Sequence, residues 1–467
     1  MASVAAAGQP RSSILPLFIA VLLIPAALGS SLTIFNDGDV SWHIATGQWI
    51  LDHRVIPHTD PFSFTWAGKP WVPIEWLAEV IYASAYDAAG YAGVSALVTA
   101  VLMALHAIVF VNASRFVRPW VAVATIVMMD VELIPTLLAR PHVLTWPLLA
   151  LWTALMLNAR EKGRAPRLAA ALLMTLWANL HGGFVFGLAI AGAFGLEALV
   201  TSSDKGRALR QWALFGALSL AAVFINGNGL EGVVHPFRFT QLKMLPLIDE
   251  WKPSSFHSTP YSFVVLALTL ALIAWKRPRL SWIRWLLLGG LLGLALLQVR
   301  HQAMLAIVAA LVLPRGFAEG ERMGSSLERP LGWVAVAGAV LLIVLRAVMP
   351  LTPSDNEANP WKLIAAVPPQ LRSQPVLNGY SMGGPLILSG IRPYIDGRGD
   401  MYGDELVLGF ARITGGDPDA LDAAVRRWNI RWAIVPGGAK RLTALLDRTP
   451  GWKRIYADKV GAIYARN

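Results

Sequence analysis

The sequence predicts an α-helical polytopic membrane protein, with about 11 transmembrane helices and a small C-terminal α/β domain on the outer side. Composition is the first observation: of 467 residues, 55% are hydrophobic and only 15% charged, too apolar for an ordinary soluble protein. The second is a series of apolar runs, and the third is where the basic residues lie between them. The net charge of +11 falls in short clusters separating those runs, as the positive-inside rule requires, so no nucleic-acid partner is expected. With no cysteine, disulfides, thiolate-held metals and thiol catalysis are excluded.

Two domains follow: residues 1–350, transmembrane with a long outer loop at 36–90, and residues 351–467. The first span, Ile14 to Phe35, has 22 residues, which at about 1.5 Å per residue crosses a hydrocarbon core of about 30 Å. Pro16 and Pro25 are expected to bend it. Ala27-Leu28-Gly29 also resembles a signal-peptide cleavage site, and under either reading the next residues emerge outside. Those residues are Asn36-Asp37-Gly38-Asp39-Val40-Ser41-Trp42. Two aspartates two apart in a non-helical segment share a face, and Gly38 is expected to supply backbone angles closed to other residues. Such a pair can hold a divalent metal, take a proton from a nucleophile, or cap the following helix.

The loop that follows is rich in Trp, Pro and His. Ile44 to Leu51 reads as an interfacial helix, and Glu75 to Ala89 as a second or as the entry to the next span. Further spans are expected near 92–113, 119–138, 142–158, 168–180, 183–200, 211–226, 261–275, 285–299, 302–314 and 331–349, with 168–200 turning at His181-Gly182-Gly183. Threaded with the N-terminus inside, the inner side receives 17 Lys and Arg, Arg11, Arg322 and Arg329 among them, against seven outside. The same threading puts His43, His53, His58, His142, His181, His235, His257 and His301 outside and leaves only His106 within a span. Interfacial preference explains part of that sorting. Ionisable groups gathered at one face also mark a site reached from that face.

Among the outer groups, Arg140-Pro141-His142 puts a permanent cation at the membrane boundary, suited to bulk headgroups or to one bound phosphate. Asn179 and His181, in Trp177 to Phe184, suit either helix packing or a substrate pocket. Asn226 to Gly229 is a turn. Glu250-Trp251 lies in an outer loop with a surface helix, and Arg300-His301 opens a span with one fixed and one switchable cation. Arg140 and Arg300, in a compartment otherwise poor in Lys and Arg, suggest an anionic substrate group such as phosphate. In the C-terminal domain, Pro375–Leu377, Pro393–Asp396, Trp432–Val435, Arg454–Ala457 and Ala462–Ala465 read as strands and Ala420–Trp428 as a helix. Asp396-Gly397-Arg398-Gly399-Asp400 reads as a solvated turn, with substrate contact the alternative.

The aromatic outer loop opened by Asp37-Gly38-Asp39 and Trp42-His43 resembles the C-type (GT-C) superfamily of integral membrane glycosyltransferases. Within it the chain resembles a bacterial group that shares Asp37 to Gly47, Thr59 to Ser63, Glu75-Trp76, Arg140-Pro141, Trp177 to Phe184, Glu250-Trp251, and Asp396 to Arg398 before Met401-Tyr402-Gly403. The resemblance implies an inverting enzyme of the bacterial inner membrane. It would move a sugar from a polyprenyl-phosphate donor to a lipid or glycan acceptor of the cell envelope, at the periplasmic face. Asp37 is the first choice for the base and Asp39 the second. Arg140, Arg300 and His301 would bind the donor phosphate, and His43, Glu75, His142, Asn179, His181 and Glu250 the substrates. A divalent cation, Mg or Mn, on Asp39 and His43 is a further expectation, although metal use varies across the superfamily. The sequon-binding motifs of its better-known members are absent, so protein N-glycosylation is not supported. A transporter or flippase and a non-catalytic scaffold are the competing classes; the first should show internal repeats or mid-membrane charges, which the sequence lacks.

Overall fold

The computed structural model describes residues 15–317 and 329–466. Arg11, Ile14 and Arg322, which entered the span and charge expectations, lie outside the described residues, as does the side chain of Arg329. Each apolar run expected to be helical is helical where it is described. Among the described residues four helices are long and apolar enough to cross a membrane: Trp76–Ala113, Pro119–Thr136, Pro141–Glu161 and Phe184–Thr201. Pro16–Gly29, Leu168–Leu180, Pro260–Lys276, Trp282–Leu297 and Trp333–Val348 are shorter apolar helices. Helices Lys205–Val223 and Gln302–Gly316 complete the expected set.

Local chemistry sets the irregularities. The first helix contains a π turn at Ile19–Leu23, next to Pro25. Trp76–Ala113 breaks at Ala89 and Gly90, where Gly90 takes φ 59° and ψ −146°; the expected interfacial helix and the span are two arms of one kinked element. The polypeptide turns at His181, which is extended, so 168–200 is two helices as expected. Contrary to the expectation that the bundle carries no charged group, the buried Asp130 lies inside it, with His106 Nε2 and Asp130 Oδ2 3.0 Å apart, joining neighbouring helices.

Alternate connections meet at one end of the bundle. The segments after Pro16–Gly29, Pro119–Thr136, Leu168–Leu180, Lys205–Val223, Trp282–Leu297 and Arg329–Val348 all contribute to one cavity described below. The intervening connections carry the basic clusters Arg160 to Arg167, Lys205 to Arg210 and Lys276 to Arg284 at the other end.

The C-terminal region is a four-stranded sheet of order β1-β2-β4-β3, with β1 Val376–Asn378, β2 Trp432–Pro436, β3 Trp452–Ala457 and β4 Gly461–Arg466. β1 and β2 run parallel and the other pairs antiparallel. The helix expected at Ala420–Trp428 is Pro418–Trp428. Pro393–Asp396 is not a strand: it is irregular backbone held by Asn378, whose Oδ1 accepts from Tyr394 N–H (2.7 Å) while its Nδ2 donates to the Ile395 carbonyl (2.7 Å). Helices Gly399–Thr414 and Lys440–Arg448 were not expected.

This domain shares a core with the first outer loop. Trp42, Ala45 and Trp71 pack in one cluster with Leu377, Tyr394, Ile395 and Tyr402. Gly38 sits where this contact is tightest, and an added Cβ would fall 1.8 Å from the Ser381 carbonyl oxygen. Its φ is −66°, so close approach, not unusual backbone angles, is what requires glycine there.

Candidate functional site

The converging segments enclose a cavity of about 520 Å³, within the range of small-ligand sites. Of the residues singled out in the sequence, Asp39, His43, Glu75, Arg140, His142, His181, Glu250, Arg300 and His301 line it. Two do not. Asp37 stands behind its wall. Asn179 is a structural link: its Oδ1 accepts from Trp76 Nε1 (2.8 Å) and Gly227 N–H (3.1 Å), and its Nδ2 donates to the carbonyls of Thr175 and Ile225.

The aspartate pair is not in extended backbone as the sequence suggested. Asp39 begins helix Asp39–His53, and Asp37 Oδ1 accepts its N–H at 3.0 Å. Both carboxylates nevertheless turn to Arg140. Arg140 Nη2 is 2.5 Å from Asp39 Oδ2, Nε contacts Asp37, and Nη1 donates to Glu250 Oε2 at 3.1 Å. The guanidinium's fork is thereby filled by three carboxylates. Burial opposes its charge, but Asp37, Asp39 and Glu250 hold Arg140 well above the usual arginine range. For Asp39, burial dominates: it and the neighbouring Asp37 outweigh Arg140 and push the carboxyl up to about 7.

Arg300 is differently placed. Its Nη1 lies 3.7 Å from Glu250 Oε1, and its guanidinium rests on the Trp251 ring at 4.3 Å. His301 packs its ring against Phe186, and the rings of His142 and His181 lie 6.2 Å apart. Burial raises Glu250, but Arg140 and Arg300 more than reverse this, holding it at about 2. Among the described residues Glu75 has no arginine partner: its oxygens lie 3.4 Å from His181 Nε2 and 3.9 Å from His43 Nε2. Burial, reinforced by Asp400, pushes it up to about 8, so it carries a proton at neutral pH.

No three His, Asp or Glu side chains are grouped to hold a metal ion among the described residues. Asp39 is taken up by Arg140, and His43 faces Glu79 at 3.5 Å. The residues present therefore do not fit a cation held by Asp39 and His43, and the chemistry below does not pass through one.

Several cavity residues escaped the sequence reading. Tyr380 reaches it from the C-terminal domain, as do Arg398 and Asp400, for which substrate contact was only the alternative, and Trp42 and His235, which were given no role, reach it from the segments before them. Asp396 to Asp400 is no solvated turn. Arg398 is 1% exposed, donates to Asp396 through Nε (2.8 Å) and Nη2 (2.7 Å) and to Asp60 through Nη1 (2.7 Å), and its guanidinium lies over Trp71 at 4.7 Å. Tyr402 adds a 2.6 Å hydrogen bond to Asp396. Gly397 passes so close to the site that an added Cβ would lie 1.8 Å from Asp39 Oδ1. His235 Nε2 is 2.9 Å from Asp400 Oδ2, a second tie across the cavity. The Asp-Gly-Arg-Gly-Asp string was visible in the sequence, but nothing local told that its partner was Asp60, more than three hundred residues earlier.

Two of the solved structures similar to this chain are archaeal. An oligosaccharyltransferase from Archaeoglobus fulgidus in its apo form has a TM-score of 0.49 at 11% identity, over 96% of this chain and 74% of that one. The archaeal oligosaccharyltransferase AglB from Archaeoglobus fulgidus, in complex with an inhibitory peptide and a dolichol-phosphate, has a TM-score of 0.45 at 11% identity, over 97% and 74%. No family model matches the sequence, and no curated protein matches it.

Proposed function

We propose that the chain is a membrane glycosyltransferase that moves a sugar from a polyprenyl-phosphate donor to a hydroxyl of a lipid or glycan acceptor at the periplasmic face of a bacterial inner membrane. One observation carries this reading: a single cavity at the helix ends unites a largely buried carboxylate, Asp39, with an arginine, Arg300, that meets one distant carboxylate among the described residues, between aromatic walls. The donor's isoprenoid lies among the apolar helices, and its phosphate sits against Arg300 with His301, His142 and His181 beside it. Asp39 takes the acceptor proton as the acceptor oxygen bonds to the anomeric carbon. The bond from that carbon to the phosphate oxygen breaks on the opposite face, inverting the centre, and polyprenyl phosphate departs with its charge held by Arg300. Asp37, spent on Arg140 and the Asp39 N–H, positions the base.

The test is sugar transfer from labelled polyprenyl-phosphate donors in membranes containing the protein. Asp39→Asn should lower turnover by about 10²–10⁴-fold with normal insertion. Asp37→Asn should cost less. Unaltered envelope glycans in both variants and in a deletion strain would replace this reading with a scaffold role.

A further inference from the structure

Glu250 stands on the short 3-10 turn Asp249–Trp251, between helices Gly229–Phe239 and Pro260–Lys276, and its two oxygens serve different arginines. Oε2 accepts from Arg140 Nη1 at 3.1 Å, while Oε1 lies 3.7 Å from Arg300 Nη1. The arginines are unequal. Arg140 meets three carboxylates, whose combined charge leaves it little net attraction for a phosphate. Arg300 meets one among the described residues, beyond hydrogen-bond distance. The expectation that both bind phosphate is thus divided: Arg300 receives it, and Arg140 holds the base.

We infer that Glu250 is a positioning residue coupling these two roles: donor phosphate on Arg300 drives Glu250 onto Arg140, and Arg140 in turn releases Asp39. The inference rests on the transferase reading above. A phosphodiester monoanion beside Arg300 repels Glu250 and supplies the charge-assisted contact that the carboxylate makes only at 3.7 Å. Glu250 then has Arg140 as its remaining arginine partner. A guanidinium shared among three carboxylates grips each less as one of them closes in, and Asp39 Oδ2, now at 2.5 Å, is the contact whose loss exposes a base to the cavity. Asp39 is thereby masked until a donor is present, so the acceptor hydroxyl is activated after donor binding.

The probe is a radiolabelled polyprenyl monophosphate without sugar, bound to the full chain in phosphatidylcholine nanodiscs, with transfer kinetics measured alongside. Glu250→Gln removes the competitor for Arg300 and should tighten binding by about tenfold, while Arg300→Gln abolishes it. In transfer, Glu250→Gln should lower donor KM and also lower kcat, because nothing then draws Arg140 off Asp39. A carboxylate that served only to hold the loop would weaken binding and raise KM when removed. Glu250→Ser carries the same expectations should the amide variant fail to fold. Binding by Glu250→Gln equal to or weaker than wild type overturns the coupling while leaving the donor assignment intact. Wild-type protein that ignores the lipid phosphate overturns the donor assignment itself, and the coupling with it.

Discussion

At the scale of single residues, the site is decided by which charges water no longer screens. Asp39 sits at about 7 because burial outweighs the arginine beside it, and only its ionised form can accept a proton. The kcat/KM of transfer, which reports the enzyme before donor binds, should therefore rise about tenfold per pH unit on the acid side and level off above about 7. Arg140 lowers the Asp39 value, so Arg140→Gln should move that limb to higher pH; a wild-type rate flat from about pH 5.5 to 8.5 would remove Asp39 from the role of base. Arg398 poses the opposite case, a buried cation whose partners Asp60 and Asp396 are fully enclosed. Arg398→Met should destabilise by about 3–5 kcal/mol, because two carboxylates lose their counter-charge in the interior. A melting temperature in detergent within a degree or so of wild type would show that the loop and the C-terminal domain are held by apolar contacts alone.

Elements were legible wherever a periodic or continuous apolar pattern is itself the physical cause. Each described apolar helix and the turn at His181 followed from continuous apolar runs, and helix Pro418–Trp428 from its amphipathic spacing. Reading failed where a segment's conformation is fixed from a distance. Pro393–Asp396 looked like a strand by composition, yet Asn378 captures its backbone. Gly38 looked like a turn glycine, yet its neighbour is Ser381 of the C-terminal domain. Individual outer polar residues were legible through topology, since alternate connections must share a side. The pairing of Arg140 with both aspartates needed coordinates. Gly90 offers a test of the kinked element: nothing lies near an added Cβ, so Gly90→Ala meets only backbone strain at φ 59° and ψ −146°. It should cost about 1–3 kcal/mol in a detergent melt. A loss below a few tenths would mean that the two arms straighten freely.

At the scale of the whole molecule, the C-terminal domain and the outer loops must lie on the same side of the membrane, because Tyr380 and Asp400 share a cavity with Asp39 and Arg300. Under the proposed function that side is the exterior, the side the basic connections at the far end favour. The chain's lack of cysteine makes the assignment directly testable. Single Cys replacements at the exposed positions Arg54 and Lys440 should react with a membrane-impermeant maleimide in cells with a permeable outer layer and an intact inner membrane. Replacements at Lys162 and Lys276, at the opposite end, should react only after the inner membrane is opened. Labelling of Lys440→Cys from the inside alone would place the cavity's rim in the cytoplasm. A polyprenyl-linked donor presented at the outer face could then not reach Asp39, and the proposed direction of transfer would fail even with every distance in the site unchanged.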